Sequence, residues 1–214
     1  MKPTILLFGD SITRGAFDTE QGGWGDRLKA VANRKSVENK LQPVVGVLNL
    51  GIGGNTSADL VKRFRFETEQ RAVKGSTFFV FSFGTNDAAV IASTKAFAVD
   101  KDSYIKNMKR AISEARAFSQ EILCLTSAPV NEAITKNTSL IGKSRINADI
   151  DAYNAALVEL CESEGIDYLD INALFKREGD YSRLLFADGL HPVSEGHVLI
   201  FDAVRKYYEN KGIL

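Results

Sequence analysis

The side chains able to do chemistry fall in four short blocks. Gly9-Asp10-Ser11 carries a hydroxyl, Gly51-Ile52-Gly53-Gly54-Asn55-Thr56 carries glycines, Gly84-Thr85-Asn86-Asp87 carries an amide and a carboxylate, and Asp188-Gly189-Leu190-His191-Pro192 carries a carboxylate and an imidazole. Together these are what acyl transfer requires. A serine hydroxyl is a weak nucleophile until a base takes its proton, the base needs an orienting carboxylate, and the developing oxyanion needs preorganised donors. Ser11, His191 and Asp188 match the first three roles. Donors are expected from the Ser11 backbone N–H, the Gly54 backbone N–H, where an absent side chain allows close approach, and the Asn86 side-chain amide. Asp188 stands three residues before His191, so one turn can bring its carboxylate to the Nδ1–H and leave Nε2 to face Ser11. Pro192 disfavours helical dihedrals at His191, which puts the imidazole on a loop before the last helix.

The elements that position these blocks are read from the apolar runs. Residues 5–8, 44–50, 77–83, 122–126 and 168–171 are short, β-branched or aromatic-rich, and end in Gly, Pro, Asp or Asn, which predicts five strands. Helical periodicity over 24–33, 57–70, 104–118, 147–164 and 194–208 predicts the helices. Such alternation gives a parallel sheet with helices on both faces, because a parallel crossover is long and right-handed. Phe78-Phe79-Val80-Phe81, apolar along its whole length, fits a strand buried on both sides. The expectation is an α/β fold, a three-layer α/β/α doubly wound domain spanning residues 1–214. Ligands of open parallel sheets bind beyond the carboxyl ends of the strands, where these blocks lie. Segment 131–145 breaks the alternation: it is polar and has no clear period, and reads either as a functional excursion or as a surface loop.

Composition narrows the partners. The 214 residues are 44% hydrophobic and 25% charged, ordinary for a globular domain, and 27 basic residues balance 27 acidic ones, so no global field draws the chain to nucleic acid. Cys124 and Cys161 are too few for a disulfide scaffold and are expected as buried reduced thiols. The first eight residues are too short an apolar run for a signal peptide, and no stretch approaches a membrane span, so a cytoplasmic location is expected.

In sequence order, Gly9-Asp10-Ser11-Ile12, Gly54, Gly84-Thr85-Asn86-Asp87 and Asp188-Gly189-Leu190-His191-Pro192 resemble the four blocks of the SGNH hydrolase family, the GDSL-type esterases and lipases. Ile12 departs from the Leu of the family name, a conservative change. The resemblance implies a five-stranded sheet in the flavodoxin-like order 2-1-3-4-5. It implies Ser11 as nucleophile, His191 as base oriented by Asp188, and an oxyanion hole of Ser11, Gly54 and Asn86. The expected activity is serine carboxyl-ester hydrolysis through a covalent acyl-enzyme, on small soluble or short-chain acyl esters, with no cofactor and no metal.

Other readings stand beside this one. Ser11 could cap a helix and Asn86 could be a turn residue. Asp10, Asp87, Asp188 and His191 could serve a metal-dependent phosphoesterase, and the fold could be a non-catalytic module that binds an acylated ligand. Trp24, in Gly22-Gly23-Trp24-Gly25, could edge the substrate pocket or anchor the core. His197 is expected as a packing or surface residue. Arg14, Lys106, Lys109 and Arg110 are expected on solvated faces.

Overall fold

The computed structural model describes residues 3–39, 45–137 and 142–214. Its sheet is built around β1 (Thr4–Gly9), whose successive side chains face opposite layers. Leu6 and Phe8 pack with Leu60, Phe64 and Phe79, while Ile5 and Leu7 pack with Leu28, Val80 and Leu123. A strand buried on both faces belongs in the middle of a covered sheet. Accordingly β2 (Gly46–Gly51) and β3 (Thr77–Ser82) flank β1, β5 (Ile122–Leu125) follows β3, and β7 (Asp167–Leu169) closes the far edge, all parallel. The resulting order β2-β1-β3-β5-β7 is the one implied by the family resemblance. Two further short strands, β4 (Val90–Ile91) and β6 (Lys143–Ser144), form a separate antiparallel ribbon.

Helices α3 (Ser57–Arg71), α4 (Lys101–Arg116) and α6 (Asn147–Glu164) cover one face. The other is covered by α2 (Trp24–Glu38), α7 (Ile171–Arg177) and α8 (Ser194–Asn210). Short helices α1 (Ser11–Arg14) and α5 (Glu132–Thr135) and a 3₁₀ turn, Tyr181–Leu184, lie in the connections. Cys124 and Cys161 are buried free thiols. Among the described residues no helix is long and apolar enough to cross a membrane.

Two boundaries depart from the sequence reading for local reasons. Helix α2 continues past residue 33 through a largely polar turn that carries no apolar stripe. The last strand ends at Leu169 because the Asp170 side chain accepts from Ala173 N (2.9 Å) and so caps α7, a helix too short to register as a period. Residue 44, the predicted start of the second strand, lies outside the described residues, as do 138–141. The rest of segment 131–145 is not a plain surface loop: it contains α5 and β6 and ends in Arg145, which is 3% exposed.

One ion pair ties the segment after α1 to both neighbouring helices. The Asp18 carboxylate accepts from Gly23 N (2.8 Å), Glu20 N (2.9 Å), Arg27 Nε (2.9 Å) and Ser194 Oγ (2.9 Å). Its own burial opposes ionisation, but hydrogen bonds from Arg27 and the backbone prevail and hold the carboxyl well below the usual range. Because the folded-state pKa is depressed, this contribution to stability is present above about pH 4 and is lost as pH falls further. Asp18→Ala leaves the buried Arg27 guanidinium with only the exposed Glu20 carboxylate (3.0 Å) as an ionic partner. Chemical denaturation at pH 7 should show a loss of about 3 kcal/mol, and the deficit should shrink in acid.

Candidate active site

The strand-to-helix turn at the end of β1 is possible because residue 9 is glycine. A Cβ there would lie 2.0 Å from Thr13 Oγ1 and 3.0 Å from the Ser82 carbonyl oxygen. Asp10 then caps α1 by accepting from Ile12 N (2.8 Å), which leaves Ser11 as the first residue of the helix at the sheet's carboxyl rim. Ser11 Oγ lies 2.7 Å from His191 Nε2, and His191 Nδ1 lies 2.6 Å from Asp188 Oδ2.

The tautomer follows from these partners. Asp188 Oδ1 accepts from His191 N (3.0 Å) and Leu190 N (2.9 Å), and Asp188 Oδ2 faces the ring. Burial of Asp188 acts against ionisation, but the hydrogen bonds from the His191 ring and the two amides hold its pKa below the usual carboxylate value. An ionised carboxylate can only accept, so Nδ1 carries the hydrogen of the neutral imidazole and Nε2 is free to accept from the Ser11 hydroxyl. The loop is pinned by Phe186 N donating to His191 O (2.7 Å) and Val193 N to Leu184 O (2.9 Å).

The expected oxyanion donors lie on the turns that follow β1, β2 and β3. Gly54 has φ +78°, a left-handed conformation suited to glycine, and a Cβ there would meet nothing within 4 Å, so its backbone borders open space. Asn86 Nδ2 donates to Asp10 Oδ2 (3.2 Å) and to the Asn55 carbonyl (3.1 Å), linking the neighbour of Ser11 to the neighbour of Gly54. Asn86 Oδ1 accepts from Arg145 Nη2 (2.8 Å), and Arg145 Nε donates to the Thr85 carbonyl (2.9 Å).

The remaining residues considered from the sequence serve packing, helix capping or surface pairing. Trp24 has no exposed surface and packs with Ile12 and Leu28, so it is a core anchor and not a wall of an open pocket. His197 is buried: Nδ1 accepts from Trp24 N (3.3 Å), Nε2 donates to the Ala16 carbonyl (3.0 Å), and burial lowers its pKa. Lys109 and Arg110 pair with Glu164 and Glu114 on the surface, and Arg14 and Lys106 are exposed. Asp87 caps α3 by accepting from Ser57 N (2.9 Å). Among the described residues no three His, Cys, Asp or Glu side chains are grouped to hold a metal ion.

Two residues at the site gave no readable signal in the sequence. Arg145 emerges from an aperiodic segment, and its partners lie some 60 residues away in the chain. Phe17 has φ +66°, unusual for a bulky side chain, is 44% exposed, and stacks on Phe186 with ring centroids 4.1 Å apart.

The family model described as the GDSL-like lipase/acylhydrolase family matches residues 7–199. The chain belongs to this family. Membership makes the protein a serine ester hydrolase. The GDSL-like hydrolase is 30% identical over 204 residues to a GDSL esterase/lipase of Arabidopsis thaliana, covering 93% of this chain and 76% of that protein. It is 28% identical to the isoamyl acetate-hydrolyzing esterase 1 homolog of Bos taurus, covering 98% of this chain and 82% of the relative. Its fold is similar to that of the lipase/acylhydrolase from Enterococcus faecalis (TM-score 0.76, 22% identity, 99% and 97% of the two chains). It is likewise similar to the acetylxylan esterase from Geobacillus stearothermophilus (TM-score 0.72, 21% identity, 95% and 93%).

Asp87 makes a pH-dependent prediction for this GDSL-like hydrolase. Burial, reinforced by Asp10, pushes its pKa up to about 6, although bonds from Ser57 favour the charge, and Oδ2 has no hydrogen-bond partner. Between about pH 4 and pH 6 the folded protein keeps a proton that the unfolded chain has released, so stability declines as pH rises through that window. Asp87→Asn removes this titration. Its stability relative to wild type should improve by on the order of 2 kcal/mol from pH 4 to pH 7, and a parallel pair of denaturation curves against pH would contradict the assignment.

Proposed function

We propose that the protein hydrolyses short-chain acyl esters through a covalent intermediate on Ser11. The observation that carries this reading is the unbroken run of contacts from Ser11 Oγ to His191 Nε2 (2.7 Å) and from His191 Nδ1 to Asp188 (2.6 Å). His191 Nε2 takes the hydroxyl proton as Ser11 Oγ bonds to the ester carbonyl carbon, and the imidazolium formed is balanced by Asp188. The carbonyl oxygen becomes an oxyanion held by the N–H groups of Ser11 and Gly54 and by Asn86 Nδ2. An oxyanion is a stronger acceptor than the neutral Asn55 carbonyl, so it displaces that contact of Asn86. His191 then returns the proton to the departing alkoxide, and a water activated by the same nitrogen releases the acid.

The same geometry assigns a direction to the substrate. The leaving oxygen must receive its proton from His191 Nε2, so the alcohol lies on the His191 side. There the exposed Phe17 and Phe186 rings stack, and the Phe17 ring centroid is 5.2 Å from that of His191. A large apolar side chain held in a left-handed backbone while half open to solvent is costly unless something apolar docks on it. The pair suits the alkyl or aryl group of an apolar alcohol. Relatives named for isoamyl acetate hydrolysis are consistent with a small acyl group joined to such an alcohol.

The test is hydrolysis of p-nitrophenyl esters of increasing acyl length by wild type and Ser11→Ala, with and without chelator. The expected result is a preference for short acyl chains, no effect of chelator, and a loss of at least about 10⁴-fold in the variant. Activity that needs added metal would favour the phosphoesterase reading, and no turnover of any ester would favour a binding module. Asn86→Ala should lower kcat by about 10²–10³-fold, and an unchanged kcat would remove its amide from the oxyanion site. Phe17→Ala should raise KM about 10-fold for acetates of bulky apolar alcohols and leave methyl acetate unaffected; equal shifts for both would contradict the placement of the alcohol.

A further inference from the structure

The buried guanidinium of Arg145 has no part in the proton transfers above, yet it is built firmly into the site. Three constraints deliver it. The preceding residues Lys143 and Ser144 pair with Ile91 and Val90, just beyond the Asn86 turn. Arg145 N donates to the Thr135 carbonyl (2.9 Å), and Thr135 Oγ1 donates back to the Arg145 carbonyl (2.8 Å). The side chain then reaches two consecutive residues of the Gly84-Thr85-Asn86-Asp87 block, at Thr85 O and Asn86 Oδ1.

Both hydrogen-bond acceptors are neutral oxygens, and the Asp10 and Asp188 carboxylates act on the guanidinium through space, outweighed by the cost of its burial. Burying a charge to bridge neutral groups is an expensive way to stabilise a loop, and an apolar side chain of similar volume serves packing as well or better. What the guanidinium does that an apolar group cannot is choose the orientation of an amide. With Arg145 donating on one side and the Asp10 carboxylate accepting on the other, a flipped Asn86 would set N–H against N–H and oxygen against carboxylate. A charged donor on Oδ1 also draws electron density from the amide and makes its N–H a stronger donor.

We propose that Arg145 is the positioning residue of the oxyanion site, fixing Asn86 Nδ2 toward the reacting carbonyl and strengthening it as a donor. This rests on the reading of Asn86 as an oxyanion donor, and the experiment separates the two. Steady-state kinetics on a short-chain ester are compared for wild type, Arg145→Lys, Asn86→Ala and the double variant. Lysine keeps a buried cation but not the two-pronged grip, so kcat should fall 10- to 100-fold with KM within threefold of wild type. In the Asn86→Ala background the same change should cost less than threefold further. If Asn86→Ala itself keeps full kcat, the oxyanion reading fails. If Asn86→Ala is impaired but Arg145→Lys loses equally in both backgrounds, raises KM instead, or changes nothing, the Arg145 inference fails and the oxyanion reading stands. A readout on the wild-type protein covers the case in which Arg145→Lys does not fold. The Asn86 side-chain amide resonances, assigned by their loss in Asn86→Ala, should be separated from those of other asparagines and protected from hydrogen exchange; unshifted, freely exchanging resonances would overturn the proposal.

Discussion

The imidazole of His191 has to meet a serine 180 residues away in the chain, and the fold around the site serves that contact. The meeting is possible because β1 is an interior strand of the sheet and α8 packs back beside α2, the long helix that follows β1. Sheet topology alone places the two rims near one another without setting a hydrogen-bond distance. The finer adjustment comes from buried polar contacts between the two ends. Asp18 accepts from Ser194 Oγ (2.9 Å), and His197 bonds both the Ala16 carbonyl (3.0 Å) and Trp24 N (3.3 Å). Each joins the segment after Ser11 to the helix after His191, so the Ser11–His191 contact is flanked by buried polar contacts that hold the two ends together.

The second level of organisation is electrostatic. Asp10, Asp87 and Arg145 are all buried around Asn86, where water screens them poorly. Asp10 and Arg145 bond opposite ends of the same amide, whereas Asp87 faces away to cap α3. The block Gly84-Thr85-Asn86-Asp87 thus performs two tasks in adjacent positions: residue 86 ties Asp10, Asn55 and Arg145 together, and residue 87 anchors the helix that follows the Gly54 loop. That division explains why two polar residues stand together at the end of an apolar strand.

Much of this was legible in the sequence, for identifiable reasons. The strands are short and apolar throughout, so a covered parallel sheet was readable, and with it the rim where Ser11, Gly54, Asn86 and His191 lie. Asp188 and His191 are near neighbours, so their contact depended only on a local turn. The residues that escaped depend on long-range geometry. Arg145 sits in a segment with no period, and its importance comes from contacts with Thr85 and Asn86 across the fold. Phe17 carries no mark of its positive φ. Trp24 was ambiguous because whether a residue at a helix start faces core or cleft depends on how the helix lies on the sheet.

Covalent titration with a serine-directed fluorophosphonate, followed by mass spectrometry, tests the proposed activation of Ser11 at the atom concerned. An activated Ser11 should yield one phosphonyl adduct per chain, located on Ser11, formed in step with the loss of esterase activity, and absent from His191→Ala. Inactivation without an adduct on Ser11, or full activity in protein labelled there, would contradict it.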